Sequence, residues 1–260
     1  MLIDSHAHLS LELTGLASLL DSMNRFDIDQ AVVVGGGLVD LSKLQVPGSG
    51  REILFDNLAL LELCEMAHER LLPFFFANPW VRPDHYASVG PRFHGLKLGP
   101  VVHGCPLVSP QTRSYLDLAA RFRHPVYLHC LEQDGLRVTD LCHLAADYPD
   151  LTFILGHGGV GHFDYAAITS IAPFANIFYE TSGPFKAVVA RAVEILGPHR
   201  LLFGSEHPLQ GAATELAKIN DLGLSDEAYD AITGGNIAHL LGHSRKLTKK
   251  VVTRVIPASR

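Results

Sequence analysis

Short apolar, β-branched segments alternate along the chain with longer stretches in which apolar residues recur at three- and four-residue intervals. This is the pattern of repeated strand-then-helix units. Eight segments read as strands: residues 1–5, 31–34, 72–76, 95–98, 126–129, 152–156, 177–180 and 201–204. After the first of them Leu13, Leu16, Leu20 and Met23 share one helical face, and Val138, Leu141 and Ala145 do so after the fifth. Each stripe can lie on a sheet. Gly35-Gly36-Gly37 opens a long connection through Pro47-Gly48-Ser49-Gly50 to the helical run from Leu54 to Met66, and this connection is a candidate active-site loop. No Lys-Ser/Thr signature or dinucleotide spacing accompanies the three glycines, so they read as permissive turns. Gly234-Gly235 permits a bend into a last helix, which Asn236 is placed to cap and which runs through His239 and Leu240 to Gly242.

Size agrees with this pattern. A chain of 260 residues matches a single α/β domain of the (β/α)8 TIM-barrel class, with some distortion allowed, a C-terminal helix and a short tail. Residues 1–243 are expected to form the barrel and residues 244–260 a basic extension. The net charge is −6, but Arg245, Lys246, Lys249, Lys250, Arg254 and Arg260 all fall in that extension, which has no acid. The remaining 15 basic against 27 acidic side chains disfavour a nucleic-acid partner for the main body. The tail can stay solvated, or pack Val251-Val252 and Val255-Ile256 on the domain or on another subunit of a homo-oligomer. No apolar run approaches the roughly 18 residues of a membrane span. The N-terminus shows no export signal, so a soluble, cytoplasmic protein is expected. Cys64, Cys105, Cys130 and Cys142 form no Cys-x-x-Cys pair and read as reduced, buried thiols.

The candidate chemistry sits where strands end. In Asp4-Ser5-His6-Ala7-His8 the two histidines alternate with alanine, so on a strand they face the same way and invite a metal ion. His129 follows the fifth strand, His157 the sixth and Glu206 the eighth. In a closed eight-stranded barrel these ends converge on one rim, where such enzymes place their active sites. Bland readings compete for each: a histidine in a strand-end turn, or a carboxylate accepting bonds from a helix start. Lys97 ends the fourth strand, either as a substrate contact or as a rim lysine paired with Glu180. His103, Glu132, His162, Glu180 and His207 also fall near loop mouths, while Trp80 and Arg82 can meet a planar anion or simply pack.

Taken in order, Asp4-Ser5-His6-Ala7-His8, Gly95-Leu96-Lys97-Leu98, Leu128-His129, Gly156-His157-Gly158-Gly159, Phe203-Gly204-Ser205-Glu206-His207-Pro208 and Gly234-Gly235-Asn236 resemble the amidohydrolase superfamily. The likeness is to the branch that includes aminocarboxymuconate-semialdehyde decarboxylase with related lactonases and hydratases. It implies that His6, His8 and His129 are metal ligands, Glu206 a ligand or proton acceptor, and His157 a group that binds or polarises the reacting group. It implies one divalent transition metal, with zinc first and manganese or iron as alternatives, and a lysine such as Lys97 that attracts a substrate carboxylate. The chain departs from the pattern at Glu206, where the family usually has aspartate. The extra methylene adds about 1.5 Å, so the carboxylate needs a backbone or rotamer adjustment to occupy the same place.

The expected activity is hydrolysis of an amide, ester or lactone in a small, acidic substrate. The same residues also suit decarboxylation of an unsaturated or aromatic carboxylic acid. Two further readings remain: a metal-free ligand-binding barrel, and a nuclease like the TatD family, which also begins with a strand-end His-x-His. That family typically supplies an acidic bridge where this chain has Gly-Leu-Lys-Leu.

Overall fold

A computed structural model describes residues 1–36 and 48–242. Eight parallel strands follow one another around a single sheet in sequence order. They are β1 (Ile3–Leu9), β2 (Gln30–Gly35), β3 (Leu71–Ala77), β4 (Gly95–Leu98), β5 (Val126–Leu128), β6 (Phe153–Leu155), β7 (Ile177–Glu180) and β8 (Leu201–Leu202). Helices fill the intervals, so the expected (β/α)8 architecture is present. Beyond the short β8, the chain from Phe203 to His207 runs alongside β1. Ser5 N donates to Phe203 O at 2.8 Å, Glu206 N to His6 O at 2.8 Å and His8 N to His207 O at 2.7 Å. These bonds nearly close the barrel.

Alternation along the strands separates two apolar layers. In β2, Val32 and Val34 belong to the inner cluster with Phe74, Tyr127, Ile154 and Leu202. Ala31 and Val33 belong to the outer cluster that the helices cover. The first helix, Leu13–Arg25, buries Leu16, Leu19 and Met23. Leu19 thus takes the deep position assigned to Leu20, which packs at the edge; both lie within one face at 3.6 residues per turn. The helix Val138–Asp147 buries Val138, Leu141 and Ala145 as expected. All four cysteines are free and buried.

Three sequence expectations need correction. The first strand is longer than residues 1–5 and carries the His-x-His pair within it rather than beyond its end. Strands five, six and eight are shorter than expected, ending at Leu128, Leu155 and Leu202, and His129, the last residue of the expected fifth strand, joins the site. Asn236 does not cap the last helix; it lies inside Asn236–Leu240, and its amide donates to Pro198 O at 2.8 Å and Leu201 O at 2.7 Å, tying the helix to the start of β8. Gly234 is needed close by, since a Cβ there would overlap the carbonyl of Met1. Gly37, Pro47 and the basic extension lie outside the described residues. No described helix is long and apolar enough to cross a membrane.

Away from the strand-end rim, His124 makes a 2.7 Å hydrogen bond through Nδ1 with the Tyr86 hydroxyl. Burial holds its imidazole down at about 4. The unfolded chain therefore binds a proton at His124 between pH 6.5 and 4 that the folded protein refuses, so stability is lost as pH falls through that window. The difference corresponds to about 3 kcal/mol at most. Urea unfolding at pH 7.5 and 4.5 should show wild type losing about 2 to 3 kcal/mol more than His124→Gln. Equal losses in the two proteins would refute the assignment.

Candidate active site

The strand ends place His6, His8, His129, His157 and Glu206 around one point. Ring centroids of His6 lie 4.9 Å from His8, 6.1 Å from His129 and 5.4 Å from His157. His129 stacks on His157 at 4.8 Å. Ligand atoms of His6, His129 and His157 lie within 4.8 Å of one another, as do those of His6, His8 and Glu206. His6 belongs to both triads and is 1% exposed.

Local backbone aims these groups. His157 and Glu206 both adopt left-handed φ, 56° and 52°, a conformation that costs non-glycine residues energy and is common where function demands it. Glu206 thereby brings Oε1 to 3.3 Å from His157 Nε2. Gly204, two residues earlier, lies so close to the Glu180 carboxylate and His6 Cβ that no side chain fits there.

A fully buried polar layer orients the ring of His157. Glu180, with no exposed surface, accepts from the Tyr127 hydroxyl at 2.8 Å, His157 N at 3.0 Å, Ser182 N at 2.6 Å and Ser182 Oγ at 2.8 Å. Having donated to Glu180, Ser182 Oγ accepts from His157 Nδ1 at 2.9 Å. That fixes the proton on Nδ1 and leaves the Nε2 lone pair facing Glu206. His6 stacks on the Tyr127 ring at 4.2 Å. Asp4 ties the other side: it accepts from His6 N at 3.1 Å, Ser205 N at 2.8 Å and Ser205 Oγ at 2.5 Å.

Lys97 does not face the cavity. It is fully buried, with Nζ 2.8 Å from His129 Nε2 and 3.8 Å from the centre of the Tyr127 ring. Burial pushes its amine well below the usual lysine range, against the pull of Glu206 and Glu180. A lysine in this setting holds the ring of His129.

Burial also sets the other charges. It lowers His8 to about 3 and His157 to about 4, and keeps His6 and His129 neutral. It raises Glu206 to about 7, with the negative charge of Glu180 adding to the rise and Lys97 opposing it. The histidines are therefore lone-pair donors at neutral pH, and Glu206 exchanges a proton there.

These atoms suit a cation. His6 Nε2 and His129 Nδ1 are buried without a hydrogen-bond partner, a costly state for imidazole nitrogens that a bound ion relieves. His8 Nδ1 bonds Gly36 O at 2.8 Å, which protonates Nδ1 and frees Nε2, the usual support of a ligating histidine.

Amidohydrolases provide the family match: their sequence profile matches residues 3–243. The chain belongs to the amidohydrolase family. Members of this family are hydrolases or decarboxylases, and this amidohydrolase is accordingly an enzyme. Its fold is shared with 2,6-dihydroxybenzoate decarboxylase from Rhizobium, at 15% identity and TM-score 0.67 over 93% of this chain and 98% of that one. A Pseudomonas putida protein assigned as a 2-pyrone-4,6-dicarboxylic acid hydrolase gives 18% and 0.70 over 94% and 98%. The 5-carboxyvanillate decarboxylase of Novosphingobium aromaticivorans with bound manganese gives 13% and 0.69 over 93% and 97%. At these identities the likeness is one of fold. No curated protein matches the sequence.

Of the second-choice residues, His162 lines the cavity above the histidines, whereas His103 is buried with Nε2 on Ile53 O. Glu132 faces Arg137 at 3.9 Å. Trp80 donates to His103 O and carries Arg51 over its ring, while Arg82 pairs with Asp84 on the surface. Sequence reasoning missed Tyr127, Ser182 and the role of Asp4. For Asp4 and Tyr127 the signal was present, since they precede His6 and His129 by two residues on the same strand faces.

Proposed function

We propose that this amidohydrolase is a metal-dependent hydrolase that opens an ester, lactone or amide in a small molecule. His6, His8, His129 and Glu206 would hold a single divalent transition ion, zinc first, with manganese or iron as alternatives. Bound there, the ion supplies Lewis acidity toward a carbonyl or carboxylate oxygen.

The observation that carries this reading is the placement of Glu206, with Oε1 3.3 Å from His157 Nε2 and a ligand atom within 4.8 Å of those of His6 and His8. A carboxylate so placed beside the reacting group can take a proton from an attacking water and return it to the leaving oxygen or nitrogen. His157, neutral and fixed by Ser182, offers Nε2 as an acceptor that orients Glu206 or the water. The resting ring has no proton on Nε2 to give, so proton delivery falls to Glu206. Tyr127 and Lys97 keep the rings of His6 and His129 in place, and Phe55, Phe76, Val101 and Val102 in the cavity lining above limit access of bulk water.

Decarboxylation is the second reading, favoured by the decarboxylases among proteins of the same fold. The manganese named for the N. aromaticivorans structure supports a divalent ion in either case. Zinc-, manganese- and iron-loaded protein, incubated with lactones, esters, amides and aromatic carboxylic acids, will separate the two by product. Ring-opened or cleaved acids that form only with metal are expected. Carbon dioxide release without hydrolysis would replace the hydrolase by a lyase, and equal turnover after chelation would remove the metal.

A further inference from the structure

Outside the histidine cluster, the helix Ala212–Asn220 buries a charge where its apolar stripe runs. Ala212, Leu216 and Ile219 are buried and Glu215 shares their face, a position that the helical period assigns to an aliphatic side chain. Glu215 is 2% exposed. Three residues later Lys218, its side chain 10% exposed, brings Nζ to 2.5 Å from Glu215 Oε2, as side chains at this spacing can. An ion pair taken out of water often adds no stability over an apolar pair of similar volume, so stability alone does not account for it.

Both charges hold one short segment, which follows β7 and leads to the helix Lys186–Leu196. Lys218 Nζ donates to Thr181 O at 2.8 Å and to Pro184 O at 2.9 Å, and Glu215 Oε1 accepts from Gly183 N at 3.3 Å. Three backbone groups outside any strand or helix are thereby satisfied from a single helix. Other groups of the same segment reach the site. Ser182 Oγ accepts from His157 Nδ1 at 2.9 Å, and Gly183 O accepts from His162 Nδ1 at 2.8 Å. His157, His162 and Gly183 all line the cavity of about 320 Å3 above the histidines, whereas Glu215 and Lys218 do not.

We propose that the buried Glu215–Lys218 pair is a positioning device: it fixes residues 181–184 so that the rings of His157 and His162 keep set orientations in the cavity. The inference rests on the reading of this cavity as the site of reaction. Glu215 and Lys218 touch no substrate; they act through Ser182 and Gly183. An apolar pair could fill their space, but it offers no donor to the two carbonyls and no acceptor to the Gly183 amide, so the segment is free to shift. A shift of about 1 Å in groups that orient substrate costs on the order of 100-fold in rate.

The test uses metal-loaded, full-length protein. Lys218→Met alone should unfold at a lower temperature than wild type, because Glu215 is left buried without its counter-charge. Glu215→Leu combined with Lys218→Met should recover the wild-type melting temperature and metal content. Its imidazole nitrogen NMR spectrum at alkaline pH should nevertheless change: His162, held in the Nδ1–H form by Gly183 O in wild type, should become a mixture of tautomers. On whichever ester, lactone or amide wild type hydrolyses, kcat should fall about 10- to 100-fold with KM within about 3-fold. Should the double variant fail to fold, Glu215→Gln combined with Lys218→Gln, which removes both charges and shortens the reach to the two carbonyls, is read in the same way. A folded double variant that keeps either the wild-type His162 spectrum or the wild-type kcat would overturn the proposal. The spectrum is recorded without substrate, so the two readings fail separately: wild-type protein that hydrolyses nothing ends the hydrolase assignment, while the His162 signal still decides whether the pair sets the ring.

Discussion

His6→Ala protein is expected to lose its divalent metal on purification and with it essentially all turnover. His6 is the residue common to both triads of ligand atoms, and its Nε2 is buried without any protein partner, so no neighbour can substitute for it. Losing a residue that merely supports a ligand already costs 10- to 100-fold in metal affinity, so removing a ligand itself should exceed about 100-fold. His129→Ala should behave alike, since its free Nδ1 is equally orphaned. Elemental analysis of dialysed samples beside wild type gives the answer, with circular dichroism verifying the fold. Should both variants retain wild-type metal content and affinity, the ligand assignment fails.

The second large effect is on stability. Glu180→Ala removes the acceptor shared by Tyr127, His157 and Ser182, leaving four donor groups facing a dry space. Orphaning buried donors of a charged acceptor costs about 3 to 5 kcal/mol. Glu180→Gln keeps the shape but turns amide hydrogens toward donors, so it too should destabilise, by about 2 kcal/mol or more. Denaturant unfolding measures both. A loss below about 1 kcal/mol for the alanine variant would mean that water or a rearranged side chain satisfies these donors. A nitrogen NMR spectrum of the imidazoles adds a local readout: the Nδ1–H form of His157 should give way to a mixture once Ser182 has no acceptor for its own proton.

The barrel was legible in sequence because strand patterning and eight-fold repetition depend on local alternation. The histidines were legible because strand ends converge in that architecture. The orientation of His157 was not, because it depends on side chains from two other strands: Tyr127 at β5, and Glu180 at the end of β7 with Ser182 just beyond it. Nothing in the spacing of these residues says that they meet beneath one ring. The burial of Lys97 was not legible for a related reason. Gly-Leu-Lys-Leu reads the same whether the lysine points into a cavity or is sealed behind a histidine, and its 0% exposure follows from the packing of Tyr127 and His129 around it. At Glu206 the sequence indicated that a longer acid needs a local adjustment, and the backbone there is left-handed. The cap expected at Asn236 and not found there shows the limit of local rules, since the strand its amide fastens lies some 35 residues upstream.

The seam between β1 and residues 203–207 has a consequence for the order of assembly. Until the late segment docks, the strand carrying His6 and His8 is an open edge, with the amides of Ser5 and His8 lacking the carbonyls of Phe203 and His207 and free to recruit another chain. A ribosome that has delivered the first seven strands has therefore made neither a finished cylinder nor a centre able to gather all its donors. An N-terminal edge left open until residues 203–207 are made, and a histidine cluster that Glu206 joins only at the end, follow from where this chain fastens shut.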